Sequence, residues 1–325
     1  MRFQLTAIIA GLLTCPLSAK ENASSHPPMR PLPTARQFKM QPSAYFVDAK
    51  KGDDSAEGSK LKPWKTVQHG LRQLKPGDAL YLREGVYHEH LHLVHSGTEK
   101  APIVISSYPG ELALIDGGIK EFLDSPETSW KPLQGGAPGE LVSTKTYANV
   151  DQRRIPTQFL PGAWEPLFGI ENERPLALGH FADSMIPLHG YRHLEDLRSK
   201  NEFWKSKKDR ESGLYCGPGL WFNRKTGRVH VRLAHNTLPG LEKRAYRGET
   251  DPRKLRLVVA LGFGDEVLRI TGIKHVRIEN LVFRGATGSP LIHLYGSQNV
   301  TLDHITAYGG FPALLVNASQ NIAVT

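Results

Sequence analysis

Cysteine is nearly missing from this chain: Cys15 and Cys216 are the two among 325 residues. A scaffold stapled by disulfides is therefore excluded, and stability must come from packing and backbone hydrogen bonding. Long apolar runs are missing as well. The run from Leu5 to Leu13 falls well short of the ~20 residues a spanning helix needs, so no membrane span is predicted. That run follows Arg2 and precedes the small pair Ser18-Ala19, the pattern of a secretory signal over residues 1–19. Cys15 follows Leu12-Leu13-Thr14; Thr14 is bulkier than the residue a lipid-acceptor site uses there, so lipid anchoring is not expected. A secreted or periplasmic protein with one remaining cysteine, Cys216, is the expectation.

What is abundant is positive charge. The formal net charge is +9, which suits either nucleic acid or an anionic polysaccharide; export selects the polysaccharide and argues against nucleic acid. Residues 20–43 are rich in Pro, Ser, Asn and charge without apolar periodicity, and read as a flexible tether. Tyr45 to Asp48 is a short strand pattern. Trp64, Val67, Leu71 and Leu74 then fall at helical spacing, with Pro63 at the start and Lys75-Pro76-Gly77 as the stop. Strand patterns follow at Asp78–Leu82, Val86–Val94, Ile103–Tyr108 and Ala113–Asp116, separated by turn residues.

An internal repeat is legible near the other end. Gly272 to Asn280 lines up with Gly296 to His304, and Ala318 to Val324 begins a third copy, so that Val276, Val300 and Ile322 are separated by 24 and then 22 residues. That period suits one coil of three short strands and three turns, each coil stacked about 4.8 Å above the last. Val276, Ile278, Leu281 and Phe283 would face inward, as would Val300, Leu302, Ile305 and Ala307. Arg277, Glu279, Thr301 and Asp303 would face out. Between residues 119 and 256 the repeat disappears into a stretch rich in Trp, Pro and Gly, with a hairpin pattern around Lys225-Thr226-Gly227.

Tyr45-Phe46-Val47-Asp48, Lys62-Pro63-Trp64-Lys65-Thr66, Lys75-Pro76-Gly77-Asp78, Tyr81-Leu82-Arg83-Glu84-Gly85-Val86-Tyr87 and Ala101-Pro102-Ile103, in that order, resemble the N-terminal segment of pectate-lyase-like right-handed parallel β-helix proteins. The stretch from Gly217 to Phe222 with its following hairpin resembles an insertion found in some β-helix glycosidases. The resemblance implies an all-β fold: a right-handed parallel β-helix closed by an N-terminal capping helix (44–118), an inserted β-rich subdomain (119–256) and further coils (257–325). Thr325 falls inside the third repeat copy, so the C-terminal end is expected to be truncated.

In the lyases of that family a Lys or Arg abstracts a proton beside a uronate carboxylate, often with Ca²⁺ neutralising the anion. The outward residues Arg277, Glu279 and Asp303 are the catalytic candidates here by geometry alone. Glu279 and Asp303, one coil apart, are also the candidate Ca²⁺ ligands or acid–base pair. Their alternative is a solvated polar face. Trp164 and Trp204 are candidate sugar-stacking residues or, equally, subdomain core, Trp221 reads as subdomain core, and Asp265 and Glu266 are candidates by position, where the insert rejoins the coils. His88, His90 and His92 alternate along one strand pattern, about 6.6 Å apart, too splayed to share a Zn²⁺; they read as surface histidines. Three functions remain open: a polysaccharide lyase or glycoside hydrolase, a non-catalytic polysaccharide-binding protein on the same scaffold, or a fragment of a longer enzyme.

Overall fold

Alternation of apolar and polar residues makes strands such as Lys274–Glu279 and Gln298–Asp303, and parallel hydrogen bonding to the strand one coil earlier decides where they lie. The computed structural model describes residues 33–147, 177–182, 187–191, 193–202, 208, 211–237, 245–260, 266–286, 290–308 and 312–325. Residues 1–19 with Cys15, and Trp164, Trp204 and Asp265, lie outside the described residues. Among the described residues no helix is long and apolar enough to cross a membrane.

Three all-parallel sheets form the main body. The first stacks Ala44–Val47, Ala79–Leu82, Ile103–Ser107, Lys274–Glu279, Gln298–Asp303 and Gln320–Val324. The second stacks Gly85–Tyr87, Ala113–Asp116, Leu281–Arg284 and Thr306–Tyr308. The third stacks Leu91–His92, Leu268–Thr271, Ile292–Tyr295 and Leu314–Asn317. From Leu268 onward the chain visits third, first and second sheets in cyclic order. Val276 pairs with Val300, and Val300 with Ile322, so the period seen in the sequence is the register of the first sheet. Val276, Ile278, Leu281, Phe283, Val300 and Leu302 all lie in one buried cluster, with Ile305 and Ala307 packed against it.

Corners repeat along with strands. Gly272, Gly296 and Ala318 stand one coil apart with φ of 67, 60 and 48°; His275, Asn299 and Asn321 do the same at 55, 54 and 53°, and Asn280 and His304 at 54 and 51°. The left-handed region costs an ordinary L-residue roughly 1–2 kcal/mol, and Gly and Asn least. Asn299 also accepts a hydrogen bond through Oδ1 from Asn321 Nδ2 at 3.0 Å, so the same residue type is used for both its backbone and its side chain.

The helix Val67–Gln73 closes the N-terminal end. Thr66 accepts from the His69 amide at 3.3 Å, and Glu89 accepts from the Val67 and Gln68 amides at 2.8 Å each, satisfying three otherwise orphaned donors. Trp64, Val67, Leu71 and Leu74 belong to the same buried cluster as the coil interior. The edge strand Ala44–Val47 is shielded too, because Phe46 and Asp48 bond to the backbones of Gly58 and Trp64.

Two sequence expectations are altered. The strand pattern Val86–Val94 is split into Gly85–Tyr87 and Leu91–His92, in different sheets, because the coil turns a corner between them. The last part of the expected tether is packed: Phe38 and Met40 cover an outward patch of Phe46, Ala79, Tyr81 and Val104 on the first sheet.

After Asp116 in the second sheet the chain leaves the stack, and it rejoins the third sheet at Leu268. The excursion builds a seven-stranded sheet in the order Leu257–Val259, Ala177–Phe181, Pro187–Gly190, Gly219–Asn223, Arg228–Arg232, Glu140–Ser143, Trp130–Pro132. It runs one strand past Arg256, because Leu257–Val259 pairs with Ala177–Phe181. The hairpin around Gly227 is present. Phe122 and Trp130 stack at 4.1 Å within its core, while Trp221 lies on the other face against Tyr191, Leu197 and Tyr215. Ile119 donates to the Val259 carbonyl at 2.7 Å, closing the neck of the excursion.

Inside this sheet Glu140 is fully buried. Burial pushes its carboxyl up, but His230 at 2.8 Å, Arg198 at 2.7 Å and the Ala137 amide at 2.8 Å outweigh burial and bring it down to about 2. A depressed carboxyl stabilises the fold above its unfolded value and stops doing so as pH falls toward the folded one. Glu140→Gln should therefore cost about 3 kcal/mol at neutral pH, and the gap to wild type in thermal unfolding should close between about pH 4 and 2. Asn299→Val should cost about 1–2 kcal/mol in urea unfolding, and Asn299→Gly, which keeps the backbone angle, clearly less.

Candidate functional site

Since the inward positions of the first sheet are apolar, its charge collects on the outward face. Glu279 registers directly with Asp303, and Arg277 with Thr301. Arg277, Glu279 and Asp303 line a pocket of about 290 Å³, bounded also by Tyr81 and Asn280 from the stack and by Arg36, Phe38 and Lys39 from the N-terminal segment. The three catalytic candidates, Arg277, Glu279 and Asp303, thus line one pocket.

Arg277 Nη2 pairs with Glu279 Oε1 as an ion pair at 2.7 Å; the Glu279 side chain is 15% exposed and that of Arg277 52%. Asp303 contacts the His304 ring and accepts from Thr325 Oγ1 at 2.9 Å. Partial burial raises the Asp303 carboxyl, but those bonds and the charges of His304 and Arg36 prevail and hold it below the ordinary carboxylate range. Tyr81 points outward yet is buried, because the N-terminal segment lies over it and the Gln41 amide donates to its hydroxyl at 2.9 Å. Burial, and the nearby charge of Glu279, push its phenol up.

A resident Ca²⁺ does not fit this pocket. Calcium takes six to eight oxygen ligands; here two carboxylates already hold Arg277 and His304, and three basic side chains share the space. Among the described residues no group of three or more His, Cys, Asp or Glu gathers as metal ligands would. Positive charge comes instead from Arg36, Lys39 and Arg277, which suit a ligand carboxylate, while Glu279 and Asp303 suit sugar hydroxyls.

Glu266 lies elsewhere, at the start of the third sheet, bonded to Arg269 and His293. The three histidines do not share a strand face. His88 is 12% exposed and 3.6 Å from Asp124, and so is not a surface residue; His90 approaches the Glu266 carbonyl at 3.1 Å, and His92 is exposed. Arg36, Lys39 and Tyr81 were missed by sequence reasoning. Phe38 and Met40, alternate apolar residues in an otherwise polar stretch, were the signal that the stretch packs.

No protein-family model matches the chain. It is 38% identical over 73 residues to the uncharacterized protein YwoF of Bacillus subtilis, spanning 22% of this chain and 16% of that protein. It is 37% identical over 68 residues to pectate lyase PEL9 of Emericella nidulans, spanning 20% of this chain and 17% of that one. The chain thus spans about a sixth of the length of these relatives. Among solved structures, the complex of XylC with xylose aligns with 80% of this chain and 40% of its own, at 14% identity and a TM-score of 0.49.

Tyr81→Phe removes the bond that holds Gln41 over the pocket, a loss of about 1 kcal/mol. Tryptic cleavage after Arg36 and Lys39 should then speed up by about fivefold while global unfolding shifts little. Unchanged cleavage would show that the segment is held by Phe38 and Met40 alone.

Proposed function

We propose that the three-sheet stack is a right-handed parallel β-helix and that the protein is an exported carbohydrate-active protein, engaging a uronate-containing polysaccharide in the first-sheet pocket. The observation that carries this reading is the meeting of Arg36, Lys39 and Arg277 with Glu279 and Asp303 in one pocket on the outward face of the stack. The local likeness to a pectate lyase over 68 residues supports it, as do the net charge and the signal-like N-terminus. An exposed basic rim attracts an anionic polymer over several ångströms and holds its carboxylates close, in a manner that salt weakens.

In an elimination at this site the proton beside the uronate carboxylate would pass to a pocket base. The electron pair it leaves would form the new carbon–carbon double bond, and the glycosidic oxygen would depart and take up a proton, giving one unsaturated end and one new reducing end. The basic side chains would stabilise the charge that develops on the carboxylate. A second reading, binding without turnover, is favoured by one observation: both pocket carboxylates already have partners inside the protein.

The full chain should be retarded in gels containing polygalacturonate, with retardation falling as salt rises. The double variant Arg36→Ala, Lys39→Ala should weaken binding by about tenfold or more. Product absorbance from unsaturated uronates decides between the readings: its appearance, and its loss in Asp303→Asn, identifies an enzyme, while binding without it identifies a binding protein. No retardation by any uronate polymer would refute both.

A further inference from the structure

The third sheet carries a second cluster that the first-sheet pocket does not use. Leu268, Ile270, Ile292 and Leu294 fill the core, so Arg269, His293 and Tyr295 alternate outward. Register sets Arg269 beside His293, Thr271 beside Tyr295, and Tyr295 beside Asn317. Glu266, whose side chain is 7% exposed, organises the group: Oε2 accepts from Arg269 Nε at 3.0 Å, and Oε1 lies 3.1 Å from His293 Nδ1. A carboxylate only accepts, so His293 Nδ1 carries the proton. His293 Nε2 lies 3.3 Å from Asn317 Oδ1, so the outer nitrogen of the ring already meets the amide. Beside it stands Tyr295, 53% exposed, its ring 6.4 Å from the imidazole and inclined at 68°.

We propose that Tyr295, His293 and Asn317 form a binding site for an uncharged sugar ring, on the third sheet and apart from the first-sheet pocket. The proposal rests on the carbohydrate reading above and adds to it a second subsite and its sugar class. The Tyr295 ring offers an apolar face to the C–H face of a pyranose. The nearly perpendicular imidazole and the Asn317 amide, in contact with each other, offer hydrogen-bonding groups to the hydroxyls at its edge. The buried carboxylate fixes the imidazole before anything binds, which lowers the ordering cost of association. Glu266 and Arg269 cancel each other's charge, so that pair supplies no unbalanced charge with which to favour a uronate over a neutral sugar.

Isothermal titration of the full chain with neutral oligosaccharides derived from xylan, mannan and cellulose, and with oligogalacturonate, tests this. One neutral series should bind, with Tyr295→Ala about tenfold weaker and Tyr295→Phe close to wild type. Because Tyr295 is exposed, the alanine variant should fold normally, and its thermal unfolding serves as the control. The neutral ligand should bind equally well to the Arg36→Ala, Lys39→Ala variant. Wild-type affinity in Tyr295→Ala, or no binding of any neutral series, overturns the proposal. In that case retained binding of oligogalacturonate leaves the first-sheet reading standing, and loss of both overturns that reading as well.

Discussion

Each strand of the main body depends on the backbone of the coil before it. Parallel strands bond only to neighbours held about 4.8 Å away, so the chain must come back to the same sheet at the same phase after every turn. A coil that returned one residue early or late would turn its apolar side chains outward. The 24- and 22-residue spacings satisfy that requirement in the first sheet. The coil that is shorter by two residues keeps phase because two is the side-chain period of a strand.

The corners serve the same end. Stacked Gly, Asn, His and Ala in the left-handed region reverse the chain in a few residues, so three sheets fit within two dozen. A large excursion is tolerated at one such corner because its two ends are brought back together. Gly117 lies against Val267, and Ile119 bonds to Val259, so the strands on either side of the excursion pair with the next coil as though it were an ordinary turn. Its buried Glu140, with His230 and Arg198, makes a polar centre on the face of the excursion's sheet opposite its apolar core, and neither depends on the register of the stack.

Stacking also creates the polar clusters on the outer faces. Residues a coil apart in sequence become neighbours, so a polar residue repeated at one outward position builds a polar column. Glu279 beside Asp303 on the first sheet and Tyr295 beside Asn317 on the third arise in this way. The N-terminal segment turns the first of these columns into a pocket by laying Arg36, Phe38 and Lys39 along it. The third-sheet group is organised instead by a single buried carboxylate at the point where the excursion returns.

The sequence alone determined the repeat, its register and the facing of its side chains, because a period of two within a period near 24 leaves one phase that buries Val276, Ile278, Val300 and Leu302 together. It also determined the capping helix, through the spacing of Trp64, Val67, Leu71 and Leu74, and placed Arg277, Glu279 and Asp303 on one outward face. Tertiary structure decided what period and local pattern do not encode. It placed Phe38 and Met40 on the outer face of a sheet formed dozens of residues later, split His88, His90 and His92 at a corner, and joined Glu266 to His293 across 27 residues. Local pattern reports what repeats along the chain, whereas these contacts are made between segments that share no repeat and meet only once the coils have closed.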